Sequence, residues 1–130
     1  MIGVSEISVL RALSISGSGS GDNVVLSKRQ LAKLLRIAIE KDFDEEWYLE
    51  RYPDVSTAKS KGLFASGIEH YCTVGIYEGR LPRKLTIDER AYLARHKDVA
   101  AAIKTKAIGS ASEHFEKIGY LEGRSFSLTR

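Results

Sequence analysis

Residues 69–80 read EHYCTVGIYEGR, and residues 113–124 read EHFEKIGYLEGR. The two stretches share Glu-His, an aromatic residue, a Gly and then Glu-Gly-Arg at the same spacing. A shift of 44 residues aligns all of 43–80 with 87–124 without a gap. The chain therefore contains a tandem duplication, and a repeat of this length is typical of supersecondary units that stack on one another.

Each repeat carries helix-start signals for its first two helices. The first helix is predicted to begin at Asp42 or Thr86, each followed three residues later by a Glu, as in a capping box. The second is predicted to begin at Asp54 or Asp98, whose carboxylates can accept hydrogen bonds from free backbone N–H groups. Gly62 is predicted to end the second helix of the first copy.

A third helix follows in each repeat. Ser66 and Ser110 each open an S-x-x-E sequence, which predicts a helix start. Gly75 and Gly119 stand where a left-handed residue would end that helix. Most of the repeated residues can therefore be interpreted structurally, as residues that start or end a helix.

The segment before the repeats has a different pattern. Ser-Gly alternation at residues 16–21 is typical of a flexible linker or a long turn. Apolar residues alternate before it and NVVL follows it, so residues 1–26 are interpreted either as a β-hairpin or as a frayed arm. The capping box of Ser27 and Gln30 then opens the longest predicted helix, over 27–41.

These patterns predict a mainly α fold. Two stacked repeats of about three short helices each are expected at 43–82 and 87–126. The longer helix precedes them within a helical repeat domain that covers 27–130, and the N-terminal arm covers 1–26.

Composition narrows the class of protein. The 130 residues are 43% apolar and 28% charged, as is normal for a globular domain. The net charge of +3 is spread along the chain, so nucleic-acid binding is not expected. No apolar run approaches the roughly 18–20 residues that span a membrane, and the N-terminus does not resemble a signal peptide. We expect a cytoplasmic protein, or a cell-surface or particle component exported by a non-classical route.

Catalysis and metal binding are not indicated. Glu and His are neighbours in each repeat. Neighbouring side chains on a helix point about 100° apart, so the two cannot readily bind one metal ion together. Cys72 has Glu116 as its counterpart, so no duplicated nucleophile exists. His70 and His114 are interpreted as packed, hydrogen-bonded rings, with ligand contact as the alternative. We therefore expect a protein that is not an enzyme and needs no cofactor.

Arg80 and Arg124 each follow Glu-Gly in a predicted turn. In one interpretation the guanidinium ties the turn to a helix C-terminus or to a carboxylate such as Asp54 or Asp98. In the other, the arginine is exposed and binds an anionic group. The sequence alone leaves both interpretations open.

The stretch FDEEWYLERYPDV…IEHYCTVGIYEGRLP resembles a bacterial repeat family. The family pattern is roughly aromatic-D-x-x-x-Y-L-x-x-x-P-D-V, then E-H-[FY]-x-x-x-G-x-x-E-G-R. The resemblance covers about residues 43–126 and implies a non-catalytic unit that accompanies glycosyltransferases and other proteins of surface polysaccharide systems. In the second copy Lys97 replaces the Pro and Ala91 replaces Trp47, so equal ligand affinity of the two copies is not expected.

The function predicted from these features is recognition of a bacterial surface polysaccharide, either capsule or exopolysaccharide. Sugar recognition uses flat aromatic faces together with planar polar groups. The candidate binding residues are Trp47, Tyr52, His70, Tyr77, Arg80, His114, Tyr120 and Arg124. The alternative is an adaptor, or a structural or adhesion component of a surface or phage-like particle. It would dock on another protein, or self-associate, through residues 1–26.

Overall fold

The computed structural model describes residues 21–129 of the chain, so most of the predicted N-terminal arm lies outside the described residues. The mainly α fold is confirmed. The helices are α1 (Lys28–Ile39), α2 (Glu45–Arg51), α3 (Pro53–Ser60), α4 (Gly67–His70), α5 (Glu89–Arg95), α6 (Lys97–Lys104) and α7 (Ala111–His114). One antiparallel bridge joins two of the described residues, Ile87 and Leu128.

The helix α1 begins where the sequence predicts. The Gln30 N–H donates to the Ser27 hydroxyl at 3.1 Å, and the Ser27 N–H donates to the Gln30 side-chain oxygen at 2.9 Å. The helix ends at Ile39, two residues before the predicted end. Ala32 is its buried residue, and it packs into the core of the first repeat together with the partly buried Leu35.

The predicted N-cap positions of the first two helices in each repeat are wrong by two residues. Asp44 and Asp88 cap α2 and α5, since their carboxylates accept the N–H groups of residues 47 and 91 at 2.9 and 3.0 Å. Glu45 is the first residue of α2, and its carboxylate accepts the Ile68 N–H of α4 at 3.0 Å. The carboxylate that was predicted to cap its own helix therefore caps a neighbouring one.

The second helices begin just before the predicted aspartates. Tyr52 and His96 stand at the N-cap positions of α3 and α6 and provide no side-chain cap. Pro53 fits the first position of α3 because it has no N–H group to satisfy there. Asp54 and Asp98 lie within the first turns, which leaves their carboxylates available to other partners.

The third helices begin as predicted but end differently. Ser66 and Ser110 accept the N–H groups of residues 69 and 113 at 3.2 and 3.1 Å. The helices α4 and α7 then widen into π-helical turns, Tyr71–Gly75 and Phe115–Gly119, so the predicted left-handed ends at Gly75 and Gly119 are wrong. The left-handed residues of these segments are Gly79 and Gly123, each with φ near +72°.

Each repeat has its own core. Tyr48 and Tyr92 stand at equivalent positions, and neither exposes any side-chain surface. Trp47 is partly buried and packs against both cores. Next to it, a guanidinium nitrogen of Arg51 lies 3.0 Å from a carboxylate oxygen of Glu116 in the second repeat. Trp47 and Arg51 thus join the first repeat to the second.

Candidate functional site

The repeated histidines belong to the scaffold. The Tyr48 hydroxyl lies 2.9 Å from Nδ1 of His70, and the Tyr92 hydroxyl lies 2.9 Å from Nδ1 of His114. The two histidines are only 5% and 8% exposed. Burial, followed by the charge of Arg80, lowers the pKa of His70. These contacts agree with the packed interpretation, and the rings offer a ligand very little surface.

Arg80 is held by carboxylates of its own repeat. Its guanidinium donates to both oxygens of Asp54, at 2.9 and 2.6 Å, and to Glu78 at 2.8 Å. It also lies over the Tyr52 ring, 4.9 Å from the centroid. The hydrogen bond from Arg80 holds the pKa of Asp54 below its ordinary value. The arginine therefore has the structural role that one of the two sequence-based interpretations assigns to it.

Arg124 repeats this arrangement in the second copy. It donates to both oxygens of Asp98, at 2.8 and 2.7 Å, and to Glu122 at 2.7 Å. The hydrogen bond lowers the pKa of Asp98 to about 2. His96 replaces Tyr52 here, and its Nε2 lies 2.8 Å from the Ser125 carbonyl oxygen. No role is predicted for His96 from its sequence context, although the shift of 44 residues places it opposite Tyr52.

Trp47 and Tyr52 lie together, with ring centroids 6.2 Å apart. Tyr52 has the guanidinium groups of Arg51 and Arg80 within 5.6 and 4.9 Å of its ring centroid, and its hydroxyl accepts the Leu81 N–H at 2.9 Å. These neighbours surround the Tyr52 ring. Trp47 borders a shallow depression with Arg51, but its main contacts are with the two cores.

The remaining two aromatic candidates differ from each other. Tyr120 is partly buried and packs on Phe115, with ring centroids 5.8 Å apart. Burial raises the pKa of Tyr71, and the nearby Tyr120 phenol raises it further, which places Tyr120 at the junction of the repeats. Tyr77 is 49% exposed, and the Lys28 ammonium of α1 lies 5.2 Å from its ring centroid. Tyr77 is thus the predicted aromatic residue with the most accessible ring.

A groove lies where α1 packs on the first repeat. It has a volume of about 190 Å³ and is open to solvent. The helix α1 contributes Arg29, Ala32, Lys33 and Arg36. The opposite wall consists of Glu69, Cys72 and Thr73. We call this feature the α1 groove.

The charges of the α1 groove are unequal. Three cationic side chains, those of Arg29, Lys33 and Arg36, face one carboxylate, that of Glu69. The Glu69 carboxylate already accepts the Ala65 N–H at 2.6 Å. None of the ion pairs among residues 21–129 includes Arg29, Lys33 or Arg36, whereas Arg80 and Arg124 are both paired.

The sequence contained a signal for this groove that its interpretation missed. Arg29, Lys33 and Arg36 are spaced by four and three residues, so they share one face of a helix. The sequence-based expectation of spread charge is therefore wrong for α1. Cys72 forms part of the wall opposite α1, and burial raises the pKa of its thiol, which disfavours the reactive thiolate.

Comparison with known proteins gives no further assignment. No model of a known protein family matches the chain, and neither a curated protein nor a solved structure matches it. Within residues 21–129, no helix combines the length and the apolar character that crossing a membrane requires. The same residues contain no group of three or more His, Cys, Asp or Glu side chains that could hold a metal ion.

Proposed function

We propose that the protein is a non-catalytic carbohydrate-binding module that recognises a bacterial surface polysaccharide, and that it belongs to the repeat family its sequence resembles. The observation that carries the proposal is the open α1 groove, together with the half-exposed Tyr77, whose ring centroid lies 5.2 Å from the Lys28 ammonium at the start of α1. His70, Arg80 and Tyr52 have partners inside the first repeat. Binding is therefore assigned to the surface beside α1 rather than to the repeated signature.

The chemistry of this surface suits a sugar chain. A tyrosine face can pack on the C–H groups of a sugar ring, and guanidinium groups can donate two parallel hydrogen bonds to ligand oxygens. Lys28 precedes Arg29 on α1 and lies over the Tyr77 ring, so the aromatic residue and the cations border the same helix. A shallow open groove accommodates a polymer that enters at one end and leaves at the other.

Titration calorimetry with purified capsular and exopolysaccharides tests this proposal. We expect saturable binding that Tyr77→Ala weakens several-fold. Leu121→Ala is the matched control, because Leu121 occupies the position of Tyr77 in the second repeat and is also exposed. Equal losses of affinity in the two variants would show that the binding surface does not lie beside α1.

The absence of binding to every polysaccharide tested would reject the proposed function and leave the adaptor hypothesis. That hypothesis concerns residues 1–26. Removal of residues 1–20 should then change the oligomeric state or the capture of a protein partner.

A further inference from the structure

We infer that the α1 groove selects anionic polysaccharides, whose negative groups pair with Arg29, Lys33 and Arg36. This inference rests on the proposed function and adds the class of sugar polymer. Three cationic side chains border a groove of about 190 Å³, and residues 21–129 provide no ion-pair partner for any of them. A polymer that carries negative charge at intervals would supply those partners.

The spacing of the cations matches a linear ligand. Arg29 and Arg36 are seven residues apart on α1, which corresponds to about 10 Å along the helix axis. That length is comparable with two linked sugar rings. Lys33 lies between them on the same face, so the three charges form a row along the groove. A single small anion could engage only part of this row.

The single acidic residue of the groove does not reverse its polarity. The Glu69 carboxylate is held by the Ala65 N–H at 2.6 Å, on the wall opposite α1. One carboxylate against three cations leaves a positive surplus. The surplus favours anions through long-range attraction, which salt screens over about 10 Å at 0.1 M.

A small residue of α1 lines the groove. Ala32 is buried against the first core, and Arg36, four residues later, lies near Cys72. Because Ala32 contributes only a methyl group, it fills less of the space between α1 and residues 69–73 than a larger side chain would.

The decisive experiment compares matched polysaccharides in calorimetry. The probes are polygalacturonate, a phosphate-bearing teichoic acid, neutral dextran and a 20-base-pair DNA duplex. We expect at least about tenfold tighter binding of an acidic polysaccharide than of dextran, and weaker binding as salt is raised. The two acidic probes distinguish a carboxylate ligand from a phosphate ligand. DNA that binds as tightly as the better acidic polysaccharide would overturn the inference.

Two groups of variants locate the effect. Neutralising two groove cations, in Arg29→Gln with Lys33→Gln, should weaken acidic polysaccharide about tenfold or more. The double change Lys59→Gln with Lys61→Gln is the control, because it removes the same charge from exposed residues at the end of α3. Thr73→Trp keeps every charge but fills the groove, and it should also weaken binding. Melting temperatures identify any variant that fails to fold.

The outcomes separate the two proposals. Equal binding of neutral and acidic polysaccharides would reject the anionic selectivity and retain the binding module. Equal losses in the groove and control double variants would also reject it. No polysaccharide binding at all would reject the proposed function itself.

Discussion

The phenol oxygen of Tyr48 lies 2.9 Å from Nδ1 of His70, and both side chains are buried. This hydrogen bond joins α2 to α4 across the core of the first repeat. The Tyr48 hydroxyl also lies against Gly75, so closely that a Cβ atom on that residue would overlap it. The contacts of one hydroxyl group thus explain why the repeat pattern contains a tyrosine, a histidine and a glycine at these positions.

Loss of this hydroxyl should destabilise the fold. In Tyr48→Phe, Nδ1 of His70 loses its partner in a buried site, which costs about 1–3 kcal/mol of unfolding free energy. Tyr77→Phe is the control, since that residue is half exposed and its hydroxyl can be replaced by water. Urea unfolding of both variants measures the difference. Equal stability of the two would show that the buried hydrogen bond contributes little.

Replacement of the two turn arginines should have unequal effects. A lysine retains the charge but cannot make the two-pronged contact with an aspartate. Arg80 also stacks on Tyr52, whereas Arg124 has no such ring partner among the aromatic contacts of residues 21–129. Arg80→Lys should therefore lower Tm more than Arg124→Lys. Thermal denaturation followed by circular dichroism measures the two Tm values. A reversed order would show that stacking on Tyr52 does not stabilise the first repeat.

Sequence periodicity was sufficient to predict the duplication, the helical class and the serine caps at Ser66 and Ser110. It placed other helix starts wrongly because acidic residues have several uses near a helix end. Asp54 is a residue type that commonly caps helices. Its carboxylate binds Arg80 instead, because the guanidinium donates two parallel hydrogen bonds to it. Glu45 similarly reaches another helix. Such choices depend on residues far apart in sequence, which a local pattern does not contain.

The candidate site was less predictable than the fold. The repeat directed attention to residues such as His70 and Arg80, which share a repeated pattern because they share a structural task. The α1 groove arises where a helix outside the duplication meets the first copy. Its cations are visible in the sequence as a helical row, but their position beside Thr73 depends on the packing of α1.

The glycines of the two Glu-Gly-Arg turns form another matched pair. Gly79 and Gly123 both have φ near +72°, so alanine at either position is strained by about 1–2 kcal/mol. Only Gly79 faces a neighbour, because a Cβ atom there would lie 2.7 Å from Cβ of Leu121. Gly79→Ala should therefore lower the free energy of unfolding, measured by chemical denaturation, more than Gly123→Ala does. Equal costs would mean that Leu121 moves aside freely.

Truncation of Trp47 should weaken the joint between the repeats. The indole packs on both cores, so Trp47→Ala is expected to cost about 3 kcal/mol, the lower end for a large aromatic side chain because Trp47 is only partly buried. Leu63→Ala is the control, since Leu63 is exposed and belongs to neither core. Urea unfolding compares them. Hydrogen exchange should show increased opening in both repeats. An effect confined to one repeat would show that Trp47 does not couple the two cores.

The stability of the protein should decrease as the pH falls below about 6.5. A histidine in the unfolded chain titrates near that value. In the folded protein, burial lowers the pKa of His70, and the charge of Arg80 lowers it further, against the smaller opposing influence of Glu78 and Asp54. Between the two pKa values the unfolded chain binds more protons than the folded one. The contribution of His70 is therefore complete above pH 6.5 and is lost as the pH falls through its folded pKa.

Urea unfolding at intervals from pH 7.5 to pH 5 measures this dependence. His70→Gln removes the titrating group, so its free energy of unfolding should change less over the same interval, even if the variant is less stable at every pH. The comparison uses the slope rather than the absolute stability, which separates proton linkage from the loss of the Tyr48 hydrogen bond. Parallel slopes for the two proteins would show that His70 does not carry the pH dependence.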